Sequence, residues 1–506
     1  MIRDADHDGE ALMGADPFVI ALAMIGIVIV VSALLSGLID KSGLPQVAVF
    51  IGIGAALGPW GLGVFNMTLE SPILRVVATL SLTLVLFTDA VTLNISEVKR
   101  YAGLAFRMLG PGTLLCAALT ALVAWWLLDI EPLAAAVLGA ALASTDPVLL
   151  RGLLRRRDIS SVTREALRLE SGLNDVVLLP IVVVAITLAG HHVHSTGGFT
   201  RMGLGLFLLG PGAGIAIGLI GVAALDLIRK RAGVRRDYES FYSLGIAFTA
   251  FAAAEALNGS GFLAAFAAGL TIAALDVELC DCFIEYGGVT AEMLLLFTFV
   301  IFGASLIWTG FSGLNLPTLI FAAFAVLVRV PIYLLSLLGS SVDRRGRLLI
   351  AWYGPSGLSS LLIVLIAVFA GMPGSDRLFA ICSFIVLISV VLHGSTPMLL
   401  ERIAGRRARE TPLAPDASLA APSETESLPV IESGPSVGAQ SVTLDELDQL
   451  QKSGAPIVLL DVRTDRSREK SEEQARGSVR LPPDDTVSQA RKLNLPKDAW
   501  LISYCA

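Results

Sequence analysis

Glu170-Ser171-Gly172-Leu173-Asn174-Asp175 places two carboxylates, an amide and a hydroxyl inside an otherwise apolar stretch running from about residue 166 to 189. A charged side chain at bilayer depth costs roughly 2.5 kcal/mol or more, so it persists where it is paired or where it carries something across. On a helix Glu170 and Asn174 fall at i, i+4, as do Ser171 and Asp175, and the four make one polar stripe that can face one partner. Glu170 has a counter-ion in reach of such a fold: Arg329, a lone cation in the apolar run 316–339, just before Pro331. Asp175 has no cation of its own, which points to a carboxylate that takes up and releases a mobile cation or a proton.

Two further segments must bring partners to that stripe. In Ala143-Ser144-Thr145-Asp146-Pro147 the proline has no N–H for the carbonyl of Ala143, so the helix is expected to break and to expose carbonyls and helix ends to ions. Tyr353-Gly354-Pro355-Ser356-Gly357 predicts a second break. Two broken segments in separate halves point to a transporter of inverted repeats with its site near the midplane. Asp146 also fits a simpler role as a helix cap beside Pro147. Asp89, in the run 73–95, lies deep enough to line an access path, with a cap or loop role as the alternative. Glu255, Glu292 and His393 read as packing or hydrogen-bonded groups, and His191, His192 and His194 as a solvated loop. Cys280-x-Cys282 lacks a second pair or a nearby His, so no metal site is expected, and the five cysteines imply no disulfide framework.

The elements that position these groups are membrane helices. With 54% hydrophobic and 16% charged residues and a mean hydropathy of +0.73, the 506 residues exceed what one soluble core can use, and the lipid bilayer is the expected surrounding. Thirteen apolar spans are expected, at roughly 17–39, 45–63, 73–95, 101–128, 132–150, 166–189, 203–228, 240–257, 261–276, 289–309, 316–339, 347–371 and 378–400. The fold class is therefore an all-α polytopic membrane protein of about thirteen helices, two of them broken. With the N-terminus outside, alternate loops collect Lys41, Lys99 and Arg100, the Arg151 to Arg164 group, the Arg229 to Arg236 group, Arg344 and Arg345, and Arg402 to Arg409, while the others hold little beyond Arg201 and Arg377. That asymmetry orients the chain N-out, C-in. The first span lacks a basic leader and reads as a retained helix.

Four regions are expected: an extracytoplasmic segment 1–16, a membrane domain 17–404, a solvated linker 405–440 and a small α/β domain 441–506. Within the last, Leu460-Asp461-Val462-Arg463, Ala475-Arg476-Gly477-Ser478-Val479-Arg480-Leu481-Pro482 and Tyr504-Cys505 resemble the rhodanese family, with Cys505 where that family carries its sulfur-accepting thiol. Only Ala506 follows, whereas rhodanese chemistry needs a loop of backbone N–H groups there. The domain is expected not to turn over as given, either as a truncated module or as a remnant used for binding.

Ser144-Thr145-Asp146-Pro147-Val148 and Glu170-Ser171-Gly172-Leu173-Asn174-Asp175, with Phe87-Thr88-Asp89, Ser260-Gly261-Phe262-Leu263-Ala264 and Arg329 more weakly, resemble the NhaP-like sodium/proton exchangers among the monovalent cation:proton antiporters. The resemblance implies that Asp175 alternates between cation and proton, that Thr145, Asp146, Ser171 and Asn174 lend oxygens or fix it, and that Glu170 and Arg329 form a structural pair. It implies Na⁺, with Li⁺ or K⁺ as alternatives, exchanged for H⁺ by a homodimer in the inner membrane. Asn174-Asp175 in place of two aspartates leaves one exchanging carboxylate, hence an electroneutral cycle. Two departures stand out: Val176 where the family usually has Gly, and Ser356 where it often has Arg. No Gly-x-x-x-x-Gly-Lys-Ser/Thr string is present, and neither ATP, another cofactor nor nucleic acid is expected. A cation channel or uniporter, and a membrane-anchored sulfurtransferase, are the competing classes. The first lacks repeated filter motifs, and the second leaves the buried charges without a purpose.

Overall fold

In the computed structural model, the residues described are 46–410, except 60, 64–67, 94, 155–158, 191–202, 232–235, 276–287 and 312; scattered positions between 26 and 34; and 447, 456–462, 475, 477–481, 493 and 499–504. Two compact units separate near Leu413. The expected first span, the linker, the histidine loop, the Cys280-x-Cys282 pair and Cys505 fall largely or wholly outside the described residues.

The first unit is helical. Its elements are α1 (Gln46–Leu57), α2 (Pro72–Thr92), α3 (Ala102–Leu128), α4 (Pro132–Ala143), α5 (Pro147–Leu154), α6 (Ser161–Ala189), α7 (Leu204–Arg231), α8 (Arg236–Ala256), α9 (Gly261–Leu275), α10 (Gly288–Ile301), α11 (Leu316–Ser336), α12 (Arg344–Trp352), α13 (Leu358–Phe369) and α14 (Ser375–Glu410). Among the described residues six are long and apolar enough to cross a membrane, and shorter apolar helices accompany them. The outward faces carry Trp126, Phe106 and Ile220, each at least 65% exposed. Water would not tolerate so much bare apolar surface, whereas lipid tails do.

Local sequence explains the ends and interruptions. Ser160 caps α6, its hydroxyl accepting the Thr163 N–H at 3.3 Å, and Asn315 caps α11 by accepting the Thr318 N–H at 2.9 Å. Pro331 cannot give an N–H to the carbonyl of Leu327, and α11 loosens at Val328, immediately before Arg329. Pro111 sits inside a π-helical turn, Met108–Leu114, within α3, the kind of local distortion that re-aims side chains. Both expected breaks are present, as non-helical backbone at 144–146 and at 353–357.

α6 lies at the centre of the unit, packed against α2, α4, α5, α12 and α13, while α7 and α9 pair closely to one side. The second unit holds a three-stranded parallel sheet in the order β2-β1-β3: β1 (Ile457–Asp461), β2 (Val479–Arg480) and β3 (Trp500–Tyr504). Leu460 pairs with Val479, and Ile457 with Trp500. Parallel neighbours need crossover connections, consistent with an α/β unit.

Candidate functional site

The two breaks lie against each other and satisfy each other's backbone. Because α4 stops at Ala143, the carbonyl of Leu142 loses its helical partner, and the Ser356 hydroxyl donates to it at 3.0 Å. The N–H of Asp146 donates to the Pro355 carbonyl at 2.9 Å. The carboxylate of Asp146 accepts the Leu358 N–H at 2.8 Å, capping the first turn of α13, where an anion is favoured. Asp146 is thus a cap, but of the other broken helix rather than of its own. Ser356, at the position where a departure from Arg was noted, joins the same set of contacts.

This crossing works at backbone distance. A Cβ at Gly357 would run into the Asp146 carboxyl group, and one at Gly354 into the Arg329 guanidinium. Both obstacles are themselves buried and tied down. Gly357→Ala is therefore expected to cost about 1–3 kcal/mol of stability, as overpacking does, and to slow transport by lifting Asp146 from the helix end. Thermal unfolding beside a flux measurement checks it, and wild-type values for both would refute the close contact.

α6 meets the crossing with its polar stripe. Glu170, Ser171, Asn174 and Asp175 are all at most 3% exposed. The Ser144 hydroxyl donates to Asp175 Oδ1 at 2.5 Å, and Ser359, in the first turn of α13, neighbours this carboxylate. Asp175 thus accepts a hydroxyl from the first break, with a second hydroxyl residue beside it at the start of α13. Among the described residues no Lys or Arg forms an ion pair with it.

Glu170 is treated in the opposite way. Arg329 donates Nη1 to Oε1 at 3.1 Å and Nη2 to Oε2 at 2.9 Å, a two-pronged bond. The Tyr333 hydroxyl adds a bond to Oε1 at 3.1 Å, and Thr145 another at 3.2 Å. The Tyr333 proton is spent on Glu170, so Thr113, 2.9 Å away, is the donor to Tyr333; the π-helical turn of α3 delivers it. The Tyr333 ring also lies under the guanidinium, 3.8 Å from its carbon.

Thr145 is the relay between the two carboxylate environments. Its hydroxyl donates to Glu170 and accepts from Asn174 Nδ2 at 2.6 Å, which aims it at the ion pair rather than at Asp175. Asn174 Oδ1 is buried without a hydrogen-bond partner among the described residues, an acceptor with spare capacity. Ser171 turns back on its own helix, donating to the Arg168 carbonyl at 3.3 Å. Asp89 is partly buried on α2, a helix packed against α6 and α9. Glu255 accepts the Gly261 N–H at 2.9 Å and holds the start of α9.

Sequence reading missed Ser144, Ser359, Tyr333 and Thr113. Ser144 stood one residue from Thr145, yet nothing in a non-helical stretch tells which hydroxyl turns toward which carboxylate. Tyr333, four residues after Arg329, was legible as an i, i+4 neighbour.

What the geometry offers is an unpaired buried carboxylate at the meeting of two broken helices, with hydroxyl, amide and carboxylate oxygens around it: a hard-oxygen environment suited to a small cation, and equally to a proton.

A family profile described as sodium/hydrogen exchanger, transmembrane, matches residues 27–401. The chain is 25% identical over 380 residues to a protein named K(+)/H(+) antiporter NhaP2 from Shewanella sp. strain MR-4, covering 74% of this chain and 65% of that protein. It is 22% identical over 379 residues to K(+)/H(+) antiporter NhaP from Alkalimonas amylolytica, again spanning 65% of that relative's length. The sodium proton antiporter MjNhaP1 from Methanocaldococcus jannaschii, in its structure at pH 8, superposes with a TM-score of 0.61 at 20% identity, over 78% of this chain and 99% of that one. At that identity the likeness speaks for the fold.

Proposed function

The chain belongs to the sodium/hydrogen exchanger family, a multi-pass membrane family, and from that premise we propose that it exchanges a monovalent cation for a proton across the membrane, with Asp175 as the carboxylate that carries each in turn. The observation that carries this reading is the contrast between two carboxylates five residues apart on one helix. Glu170 is held by Arg329, Tyr333 and Thr145, whereas Asp175 accepts the Ser144 hydroxyl and, among the described residues, has no ion pair. A buried carboxylate without a cation is costly unless a mobile ion or a proton neutralises it. Because either neutralises the same group, their fluxes are coupled. One carboxylate carries one charge, so the cycle is electroneutral, one cation for one proton.

In this reading the cation is Na⁺. Ser144, Ser359, Asp146 and Asn174 line or support its site. Thr145 and Ser171 act by holding the backbone and the ion pair in place. Glu170 and Arg329 brace α6 against α11 while the broken segments rearrange. The protein works as a homodimer in the inner membrane with its C-terminus in the cytoplasm. K⁺ as the cargo is a second reading, favoured by the names of the relatives from Shewanella and Alkalimonas.

Vesicles carrying the purified protein and a pH-sensitive dye, given an imposed proton gradient, decide among these readings. Na⁺ added outside should collapse the gradient, with Li⁺ and K⁺ tested in turn. A response to K⁺ alone supports the second reading, and none to any cation ends both. Clamping the membrane potential should leave an electroneutral rate unchanged, whereas a channel's flux would follow the potential.

The second unit should modulate or bind rather than transport. Removing residues 414–506 is expected to leave the exchange rate within about twofold of the full chain, since the first unit buries its own core and a boundary linker carries few contacts. Loss of exchange in correctly inserted truncated protein would make the tail part of the transporter.

A further inference from the structure

Arg329 has a second face. Its Nη groups serve Glu170 and the carbonyl of Ile350, but its Nε–H, in a residue only 8% exposed, has no hydrogen-bond partner among the described residues. Arg329 also lines a cavity of about 20 Å³, together with Thr120, Ser356, Ser389, His393 and Ala325, among others. About 10–15 Å³ of such space accepts one water molecule if two to four polar groups can reach it, so this cavity takes one. A cation is the wrong occupant, because a guanidinium donor lines the wall. The occupant must accept from Nε–H and donate to hydroxyl or ring acceptors, and water does both.

His393 is part of the same cavity wall. Its Nδ1 lies 3.1 Å from the Ser389 carbonyl and 3.2 Å from the Ser389 hydroxyl, and the ring packs on the Trp352 indole at 5.4 Å between centroids. Trp352 ends α12, immediately before the second break. The histidine thereby ties α14 to the residue from which the broken segment starts.

We propose that this cavity is a binding site for a single structural water that completes the hydrogen bonding of Arg329, and that Thr120 and His393 are positioning residues which, through that water and the cavity wall, hold the guanidinium on Glu170. An unmet buried N–H is costly, and water is the one ligand of the right size and polarity. Without it the guanidinium keeps its bonds to Glu170 and Ile350 but leaves one buried donor unmet, and the brace between α6 and α11 is weakened. None of these residues touches the transported ion, so their loss should lower the maximal exchange rate more than the apparent affinity for the cation.

The transport arm rests on the exchange reading; the structural arm does not. A density map of the full-length protein that resolves other buried waters should show an ordered water within hydrogen-bond distance of Arg329 Nε. Thr120→Val, of equal shape, and Ala325→Val, which fills the space, should each lower the maximal rate at least about threefold, as remote coupled positions do, with the cation KM within about twofold. His393→Leu should do the same, and His393→Gln, whose amide still donates to the Ser389 carbonyl, should restore most of the rate. An empty cavity in that map overturns the proposal, as do wild-type rates in both Thr120→Val and Ala325→Val. If the variants fail to insert, the map of the unmodified protein decides; if the unmodified protein shows no exchange, the functional reading fails while the water site stands or falls on its density.

Discussion

Asp175→Asn will reduce cation-driven proton movement to the level of protein-free vesicles while the variant inserts and unfolds at or above the temperature of the unmodified protein. Asparagine has nearly the same shape, and its side-chain oxygen still accepts the Ser144 hydroxyl now 2.5 Å from Asp175 Oδ1. What it loses is charge: an amide neither takes up a proton near neutrality nor balances a desolvated cation. Removing an uncompensated buried charge also removes a desolvation cost, so stability should not fall. Activity and stability therefore part company, which a mere structural role for Asp175 would not produce. Retention of more than a tenth of the exchange rate in the Asn variant would move the carrier role elsewhere, with Asp146 the next group to test. Asp146→Asn should itself slow exchange by a smaller factor, because its amide oxygen can keep the Leu358 N–H that the carboxylate now accepts at 2.8 Å.

The membrane class, the polar stripe and both breaks were legible in the sequence because each rests on a local rule: apolar run length, i, i+4 spacing, and the missing N–H of Pro147. The pairing of Glu170 with Arg329 was legible too, since two opposite charges in separate apolar runs have few other ways to be neutralised. What lies beyond local rules was not readable. The backbone exchange between the breaks, Ser356 to Leu142 and Asp146 to Pro355 and Leu358, joins residues more than two hundred positions apart, and no pattern within either segment specifies the other's register. Thr145 illustrates the limit. Its type fits a cation ligand, yet Asn174 on one side and Glu170 on the other turn its hydroxyl into a relay. The second unit shows the same division: the strands at 457–461 and 500–504 follow from short β-branched and aromatic runs, but their parallel pairing is a tertiary fact.

Glu170→Ala and Arg329→Ala are each expected to destabilise the protein strongly, because each leaves the other charge buried and uncompensated, a loss of about 3–5 kcal/mol for a pair of this kind. The contact is two-pronged at 2.9 and 3.1 Å, with Glu170 fully buried, so neither partner can escape to solvent by a rotamer change. The double variant should be milder than the sum of the singles, with a coupling of about 0.5–3 kcal/mol. It should nonetheless stay below the unmodified protein, because Tyr333 and Thr145 also donate to Glu170 and lose their acceptor with it. Tyr333→Phe separates that contribution: applied with Glu170→Ala it removes an unmet donor and should partly restore stability, whereas alone it removes a bond and should cost about 1 kcal/mol. Thermal midpoints of detergent-solubilised protein give the signs of all five effects. Strict additivity between Glu170→Ala and Arg329→Ala would mean that the two do not touch in the folded protein, and the brace between α6 and α11 would have to be sought in another contact.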